Sequence, residues 1–249
     1  MAESRIIAGI NAVREAMASP SGVERLFLQT PLNNPRVFEI LKLGRKARVP
    51  ISLVPEGKLD RLAGLNHQGA AACVPEKVYA TLDAVLENAE KKGEPPFLLI
   101  PEGVEDPQNL GALIRTAVCA GVHGVVLPMT GAAGLTPGTS RASAGALSHM
   151  DVCREKSMPA ALLMLKERGV RLVGLEAGQG KTVWETDLTG PLALVVGGEN
   201  KGIRPHVRRH LDAVAHLPVR GNMGSLNVSA AASAALYEAL RQRIKNGTL

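Results

Sequence analysis

Short apolar runs alternate with amphipathic, helix-like stretches along almost the whole chain, a pattern typical of an α/β protein with a mostly parallel sheet. Apolar residues recurring every three to four positions predict helices, and apolar runs of about four to six residues predict strands. The first third of the chain has predicted helices at 9–18, 35–47 and 57–63, and predicted strands at 23–28, 51–54 and 70–74. These elements form a small α/β domain, which we place at residues 1–76.

A polar segment separates this region from the rest of the chain. It contains a predicted helix at 81–92 that is rich in Lys and Glu and is followed by Gly93 and the Pro95-Pro96 pair. Proline cannot continue a helix, so the helix must end before this pair. We place a linker at residues 77–96.

Stronger βα units follow and form a second predicted domain at residues 97–249. Its predicted strands are 97–100, 124–127, 170–175, 192–196 and 213–217, and its predicted helices are 110–120, 139–147, 159–168, 204–210 and 226–245. Asn109 lies where a helix cap is expected, and Ser225 is a suitable N-cap for the last helix. The chain is therefore expected to be an α/β protein of two domains.

Composition narrows the class of protein. The 249 residues carry 29 Lys and Arg against 23 Asp and Glu, a net charge of +6, and 45% are hydrophobic, which excludes a disordered chain. No apolar run approaches the roughly 20 residues of a membrane-spanning helix, and the N-terminus lacks the pattern of a secretion signal. We expect a cytoplasmic protein with no membrane partner.

Residue types also limit the chemistry. The three cysteines form no C-x-x-C pair, so we expect no disulfide framework and no metal site. Six aromatic residues are too few for RNA recognition by a sheet of stacking rings, so a nucleic-acid partner would be bound by Arg, Lys and backbone. The sequence Gly180-Lys181-Thr182 is not a phosphate-binding loop, because the first glycine of that motif would fall on Leu175.

Three constellations of residues follow predicted strands in the second domain. They are Asn109-x-Gly-x-x-x-Arg115-Thr, Gly197-x-Glu199-x-x-Gly, and Pro218-x-x-Gly-x-x-x-Ser225-Leu-Asn227-Val-Ser. Taken alone, each is also compatible with a capped helix or a tight glycine turn. The glycines of the second segment let the backbone turn tightly at the carboxyl end of a strand, where open α/β sheets bind their ligands. Taken together, the three segments are far more specific than any one of them.

In order and nearly letter for letter, these segments resemble the three motifs of the SpoU (TrmH) family of RNA ribose 2′-O-methyltransferases in the SPOUT superfamily. The resemblance covers residues 97–245. It extends to residues 9–16 and 66–71, which are similar to the N-terminal RNA-binding domain of the branch that methylates a guanosine in large-subunit (23S) ribosomal RNA.

The resemblance implies a catalytic domain with a C-terminal trefoil knot, a homodimer, and S-adenosylmethionine as the methyl donor. By this resemblance, the cofactor-binding residues are Leu175, Glu176, Ala177, Gly197, Gly198, Leu217, Ser225 and Leu226. The catalytic residues are Arg115, Glu199, Asn227, Ser225 and Asn109. No metal is implied.

The family's mechanism gives the motif-one arginine, here Arg115, the task of removing the 2′-hydroxyl proton. A guanidinium is effectively always protonated, so stabilising the developing alkoxide and clamping a phosphate suit it better. We expect phosphate contacts from Arg241, Arg243 and Lys245, from the basic helix at 204–209, and from Lys42, Arg45, Lys46 and Arg48.

Two alternatives stay open at the level of the sequence. One is a transfer-RNA ribose methyltransferase, which the N-terminal domain disfavours because family members acting on tRNA usually lack it. The other is a non-catalytic RNA-binding or ribosome-assembly factor, which the intact motif residues disfavour.

Overall fold

A computed structural model describes residues 4–18, 22–75, 79–199, 201–221 and 224–247. The chain divides into two compact units, residues 1–78 with 135–149, and residues 79–134 with 150–249. Residues 76–78, where the predicted first domain ends and the predicted linker begins, lie outside the described residues. No helix in the described part of the chain is long and apolar enough to cross a bilayer.

The first unit contains a four-stranded mixed sheet in the order β1-β4-β2-β3. Its elements are β1 (Ser4–Ala8), α1 (Ile10–Ala18), β2 (Arg25–Thr30), α2 (Pro35–Lys46), β3 (Ile51–Pro55), α3 (Glu56–Ala63) and β4 (Ala70–Pro75). The sequence pattern missed β1, which pairs antiparallel with β4. Leu26 and Leu28 of β2 are buried with α1 and α2, whereas Ala71 of β4 is buried with Leu59 of α3. Helices therefore cover both faces of this sheet.

The second unit contains a seven-stranded sheet in the order β7-β6-β5-β10-β8-β11-β9, in which every pair is parallel. Its strands are β5 (Phe97–Glu102), β6 (Gly124–Pro128), β7 (Asp151–Glu155), β8 (Arg171–Leu175), β9 (Lys181–Thr182), β10 (Leu192–Gly197) and β11 (Ala213–His216). The predicted parallel α/β sheet is confirmed, although β7 and β9 were not predicted. Short edge strands carry too few residues for a clear periodic signal.

Helices cover both faces of the parallel sheet. They are α4 (Leu82–Lys92), α5 (Pro107–Cys119), α7 (Met158–Glu167), α8 (Pro205–Arg208) and α9 (Val228–Lys245). Leu98 and Ile100 of β5 belong to the core formed with α4, α7 and α8, and the neighbouring Phe97 lies under Arg243 of α9. This alternation follows from the two-residue repeat of a strand.

Residues 135–149 group with the first unit and contain α6 (Pro137–Ala142) and a 3₁₀ turn (Ala146–His149). The prediction of one helix at 139–147 was wrong. Ala144 and Gly145 have φ values of 50° and 95°, which end the helix between the two pieces.

The predicted N-caps of the two helices that carry motif residues, Asn109 for α5 and Ser225 for α9, were wrong. The N-cap of α5 is Asp106, whose carboxylate accepts the N–H groups of Gln108 and Asn109 at 3.1 and 3.2 Å. The N-cap of α9 is Asn227, not Ser225. Asn109 thus lies inside the first turn of α5, where its side chain is free to point away from its own helix.

Candidate active site

A cavity of about 410 Å³ lies at the carboxyl ends of β8, β10 and β11. We call it the first cavity. All eight residues predicted to bind the cofactor line it, namely Leu175, Glu176, Ala177, Gly197, Gly198, Leu217, Ser225 and Leu226. The other lining residues include Glu199, Arg208, Val219 and Ala231. Three parallel strands end here, so their loops meet at one edge of the sheet as expected.

The turn after β10 has no room for side chains at two of its glycines. A Cβ on Gly197 would collide with the backbone at Gly202 and Ile203, and one on Gly198 would collide with the carbonyl group of Gly103. The Gly198 N–H donates to the carbonyl of Glu102 at 2.8 Å. The glycines therefore hold the β10 turn tightly against the end of β5, and the cavity wall is backbone.

Three predicted catalytic residues from distant parts of the chain are joined by hydrogen bonds at the edge of this cavity. Asn109 Nδ2 donates to Glu199 Oε1 at 2.6 Å, and Asn227 Nδ2 donates to Glu199 Oε1 and to Asn109 Oδ1, both at 3.1 Å. Asn227 Oδ1 is occupied by the N–H groups of Ser229 and Ala230. This cap fixes the orientation of the Asn227 amide, which in turn orients the other two side chains.

The remaining two predicted catalytic residues take no part in the described hydrogen bonds among Asn109, Glu199 and Asn227. Ser225 is exposed and lines the first cavity. Arg115 is exposed on α5 and is not among the described residues that line this cavity. Asn200 of the second motif and residues 222–223 of the third lie outside the described residues.

The first cavity also contains an ion pair. Arg208 Nε lies 2.9 Å from Glu176 Oε2, and both residues line the cavity. The ionisable residues among those that line the first cavity are two acids, Glu176 and Glu199, and one base, Arg208. An excess of one carboxylate favours a ligand that carries positive charge.

A second cavity, also of about 410 Å³, lies beside the first. It is lined by residues that follow β5, by Asn109, and by the β10 turn, and its ionisable residues are Glu105, Asp106, Glu199, Lys201 and Arg204. Gly198, Glu199, Gly202 and Val228 line both cavities. Arg115 does not line this cavity either.

Arg204 is fixed at the second cavity by a buried acid that sequence reasoning missed. Glu102, at the end of β5, is fully buried, and its Oε1 lies 3.4 Å from Arg204 Nη1. Arg204 Nη2 also donates to the carbonyl of Gly131 at 3.2 Å. Burial raises the pKa of Glu102, and the positive charges of Arg204 and His206 oppose this rise. The sequence signal that could have identified Glu102 is an acidic residue at the end of an otherwise apolar strand.

The expectation that Arg243 contacts phosphate was wrong. Arg243 is fully buried and donates to the carbonyls of Pro95, Pro96 and Gly190. Its guanidinium lies 4.3 Å from the centre of the Phe97 ring, and burial lowers its pKa to about 10. It holds the start of β5 in place. Among the described residues, no group of three or more His, Cys, Asp or Glu could hold a metal ion.

Two family models match separate regions of the chain. The profile of the SpoU rRNA Methylase family matches residues 96–237, and that of RNA 2′-O ribose methyltransferase substrate binding matches residues 6–80. The chain is 38% identical over 237 residues to YacO of Bacillus subtilis, assigned to the TrmH family of tRNA/rRNA methyltransferases, and this match covers 95% of each chain.

Two solved structures are similar to the chain. The SpoU methyltransferase AviRb from Streptomyces viridochromogenes, crystallised with the cofactor AdoMet, has 25% identity and a TM-score of 0.81, covering 97% of this chain and 91% of AviRb. The TrmH/SpoU tRNA modifying enzyme of A. aeolicus has 27% identity and a TM-score of 0.55, covering 67% of this chain and 86% of that enzyme.

Proposed function

The chain belongs to the SpoU rRNA methylase family of RNA 2′-O-ribose methyltransferases, and we propose that it methylates a guanosine of large-subunit ribosomal RNA with S-adenosylmethionine as methyl donor. The observation that carries this proposal is the convergence of the three motif segments. Segments up to 118 residues apart in sequence meet at Glu199, which lines the first cavity and accepts hydrogen bonds from Asn109 and Asn227.

The lining of the first cavity suits S-adenosylmethionine. Leu175, Leu217 and Leu226 offer apolar contacts to the adenine ring, and the backbone of the β10 turn can bond to its edge. Glu176 can accept hydrogen bonds from the ribose hydroxyls, and the excess of one carboxylate suits a sulfonium ion. When bound, this donor supplies a methyl group that is activated for displacement.

The chain's own residues act mainly by orientation, since an in-line displacement needs the acceptor oxygen at one position. Asn109 and Asn227 fix Glu199, and Ser225 lies where it can position the target hydroxyl. Arg115 clamps a phosphate and stabilises developing negative charge. It lines neither cavity, so we include a homodimer in the proposal, in which Arg115 completes the site of a second copy.

The domain assignment is part of the same proposal. Residues 1–76 bind RNA, and residues 97–249 catalyse the reaction through a C-terminal trefoil knot. Within the predicted linker at 77–96, α4 packs into the core of the second unit; residues 135–149 group with the first unit. The substrate-binding match at residues 6–80 supports the first assignment. We also propose a cytoplasmic location, where ribosomal RNA is available as substrate.

We favour ribosomal RNA over tRNA as the substrate because a tRNA modifying enzyme of known structure matches only part of this chain. The A. aeolicus tRNA modifying enzyme aligns with two thirds of this chain, whereas YacO, whose family name includes both tRNA and rRNA, aligns with 95% of it. A substrate-binding domain outside the catalytic domain supports a large, structured RNA target, because phosphate contacts alone position RNA without selecting it.

The test is transfer of labelled methyl from S-adenosylmethionine to unmodified 23S ribosomal RNA and, separately, to tRNA, followed by digestion to nucleosides. We expect 2′-O-methylguanosine from the ribosomal RNA only. Label on tRNA alone would replace ribosomal RNA by tRNA as substrate. No label on either RNA, with no cofactor binding, would favour the non-catalytic assembly factor.

Arg115→Ala in the same assay tests the role of that residue. We expect methyl transfer to be abolished while RNA affinity changes by less than about threefold, because one of many phosphate contacts is lost. The matched control is Arg168→Ala, which removes a surface pair with Asp83 and is expected to leave the rate unchanged. Full activity of Arg115→Ala would contradict the assigned role.

A further inference from the structure

The loop between α3 and β4 in the first unit presents three side chains to solvent. We call residues 65–68 the 65–68 loop. Leu65 is 86% exposed, more than any other large hydrophobic residue in the described part of the chain. Asn66 and Gln68 are exposed as well, and the described residues give the Asn66 side chain no hydrogen bond or ion pair. An apolar group and polar groups are therefore available here to a ligand, and covering Leu65 would be favourable.

A buried histidine fixes the shape of this loop. The His67 side chain is 4% exposed, its Nδ1 accepts the N–H of Gly69 at 2.8 Å, and its Nε2 lies 3.0 Å from Asp60 Oδ1. Because Nδ1 accepts, the ring proton is on Nε2 and is donated to Asp60. A loop held in this way binds a ligand with little loss of conformational freedom.

The two N-terminal segments that resemble the family meet at this loop. The N–H of Gly9 donates to the carbonyl of Ala70 at 2.9 Å, and the N–H of Ile10 donates to Gln68 Oε1 at 3.4 Å. Asn11 follows in α1 and is exposed. Exposed amide side chains from segments more than 50 residues apart in sequence thus lie at the same end of the sheet.

The charges beside the loop are few. Asp60 is engaged by His67. Arg141 is exposed, groups with the same unit, and lines a small cleft with Ala8 and Ala63, which directly precede the two segments. A surface that binds RNA mainly through phosphates needs several cations, so this surface is suited to other parts of a nucleotide.

Amides and an apolar side chain are suited to a nucleobase. An amide group both donates and accepts, as the edge of a base does, whereas a phosphate oxygen only accepts. Leu65 offers an apolar surface to the face of the base. Base edges are accessible in unpaired nucleotides, while the major groove of an RNA duplex is too narrow for side chains to reach them.

We propose, on the basis of the proposed function, that the 65–68 loop binds an unpaired nucleotide of the RNA substrate. Asn66 and the Nε2 group of Gln68 form hydrogen bonds with the edge of the base, and Leu65 packs against its face. Arg141 supplies positive charge beside the nucleotide. The loop thereby selects the RNA, whereas phosphate contacts elsewhere position it without regard to sequence.

The first test measures equilibrium RNA binding by full-length Asn66→Ala, Leu65→Ser and Gln68→Gly. Gln68 has a φ of 54°, which glycine adopts without strain, so the last variant removes the amide and keeps the backbone of the loop. Each variant should bind unmodified 23S ribosomal RNA about 5- to 100-fold more weakly in the presence of excess RNA duplex of random sequence. Affinity for the duplex alone, and the dependence of binding on salt, should match wild type, because no phosphate contact is lost.

The matched control is Leu43→Ser, which changes a leucine that is 40% exposed in the last turn of α2. It should leave both affinities unchanged, and urea denaturation should give the same midpoint for Leu43→Ser, Leu65→Ser and wild type. Wild-type affinity of Asn66→Ala and Leu65→Ser for the ribosomal RNA would overturn the proposal. Wild-type protein that transfers no methyl to any RNA would instead defeat the proposed function, and the two failures are distinguishable because binding is measured without methyl transfer.

The second test identifies what contacts the loop. A photoreactive residue replaces Leu65 or, as the control, Leu43, and the protein is irradiated with 23S ribosomal RNA bound. We expect cross-links from position 65 to unpaired nucleotides and none from position 43. Cross-links from position 65 only to paired nucleotides, or to a second copy of the chain in place of RNA, would overturn the proposal.

Discussion

Asn227 has two tasks that use different atoms, so they can be separated by substitution. Its Oδ1 caps α9 by accepting the N–H groups of Ser229 and Ala230 at 2.9 and 3.3 Å. Its Nδ2 donates to Glu199 and Asn109 at 3.1 Å. Serine caps helices about as well as asparagine, but it is shorter and has no amide. Asn227→Ser therefore removes the second task and keeps the first.

The expected magnitudes follow from these contacts. Loss of a cap costs about 1 kcal/mol of stability, and loss of the two exposed Nδ2 bonds costs about 1 kcal/mol together. We expect Asn227→Ser to lower the free energy of unfolding by about 1 kcal/mol and Asn227→Ala by about 2 kcal/mol. Both variants release Glu199, so both should lose about 10- to 100-fold in methyl transfer rate.

Urea denaturation and single-turnover methyl transfer, measured on the same preparations, check these values. Thr81→Ala is the matched control, because it removes the cap of α4 at Ala84 N, far from the motif residues in sequence. It should lower stability by about 1 kcal/mol and leave the rate unchanged. An Asn227→Ser protein with the wild-type rate would refute the claim that this amide positions Glu199.

Three further substitutions test the packing around the site. Gly198→Ala puts a Cβ against a backbone carbonyl and should weaken S-adenosylmethionine binding more than tenfold by calorimetry, whereas Gly57→Ala, where a Cβ meets nothing within 4 Å, should leave it unchanged. Arg243→Ala removes the donor to three carbonyls and should lower the free energy of unfolding, measured by urea denaturation, by about 3 to 5 kcal/mol. The control Arg241→Ala changes an exposed arginine and should lower it by less than about 1 kcal/mol. Burial raises the folded-state pKa of Glu102. Its contribution to stability is therefore fully present below the unfolded-state pKa and is lost as pH rises through the folded-state pKa. The unfolding free energy of wild type should accordingly fall relative to that of Glu102→Gln as pH rises through this range.

Each of these expectations has a clear contrary result. Unchanged cofactor affinity in Gly198→Ala would mean that the β10 turn does not form the cavity wall. Equal stability of the two arginine variants would mean that the buried guanidinium is not a structural link. A pH-independent difference between wild type and Glu102→Gln would mean that this carboxyl titrates as it does in the unfolded chain.

The errors made from sequence have particular physical causes. The helix predicted at 139–147 is interrupted because Ala144 adopts a positive φ, a conformation that periodicity does not encode. Ser225 was assigned a cap that Asn227 provides, because both residue types are good caps and only the backbone decides between them. Arg243 was assigned to the surface because arginine is usually exposed, whereas its partners lie about 50 to 150 residues away in sequence.

The sequence by itself determined the α/β class and the parallel sheet, because apolar periodicity is local. The loops at the first cavity were predicted from the resemblance of three motif segments to the family, not from periodicity. Only the tertiary structure decided which side chains of those loops touch. Asn109 forms hydrogen bonds with Glu199 and with Asn227, which lie 90 and 118 positions away in sequence. The second cavity, in which buried Glu102 holds Arg204, forms only when β5 and β10 lie side by side. Such contacts depend on packing across the sheet, which no stretch of sequence contains.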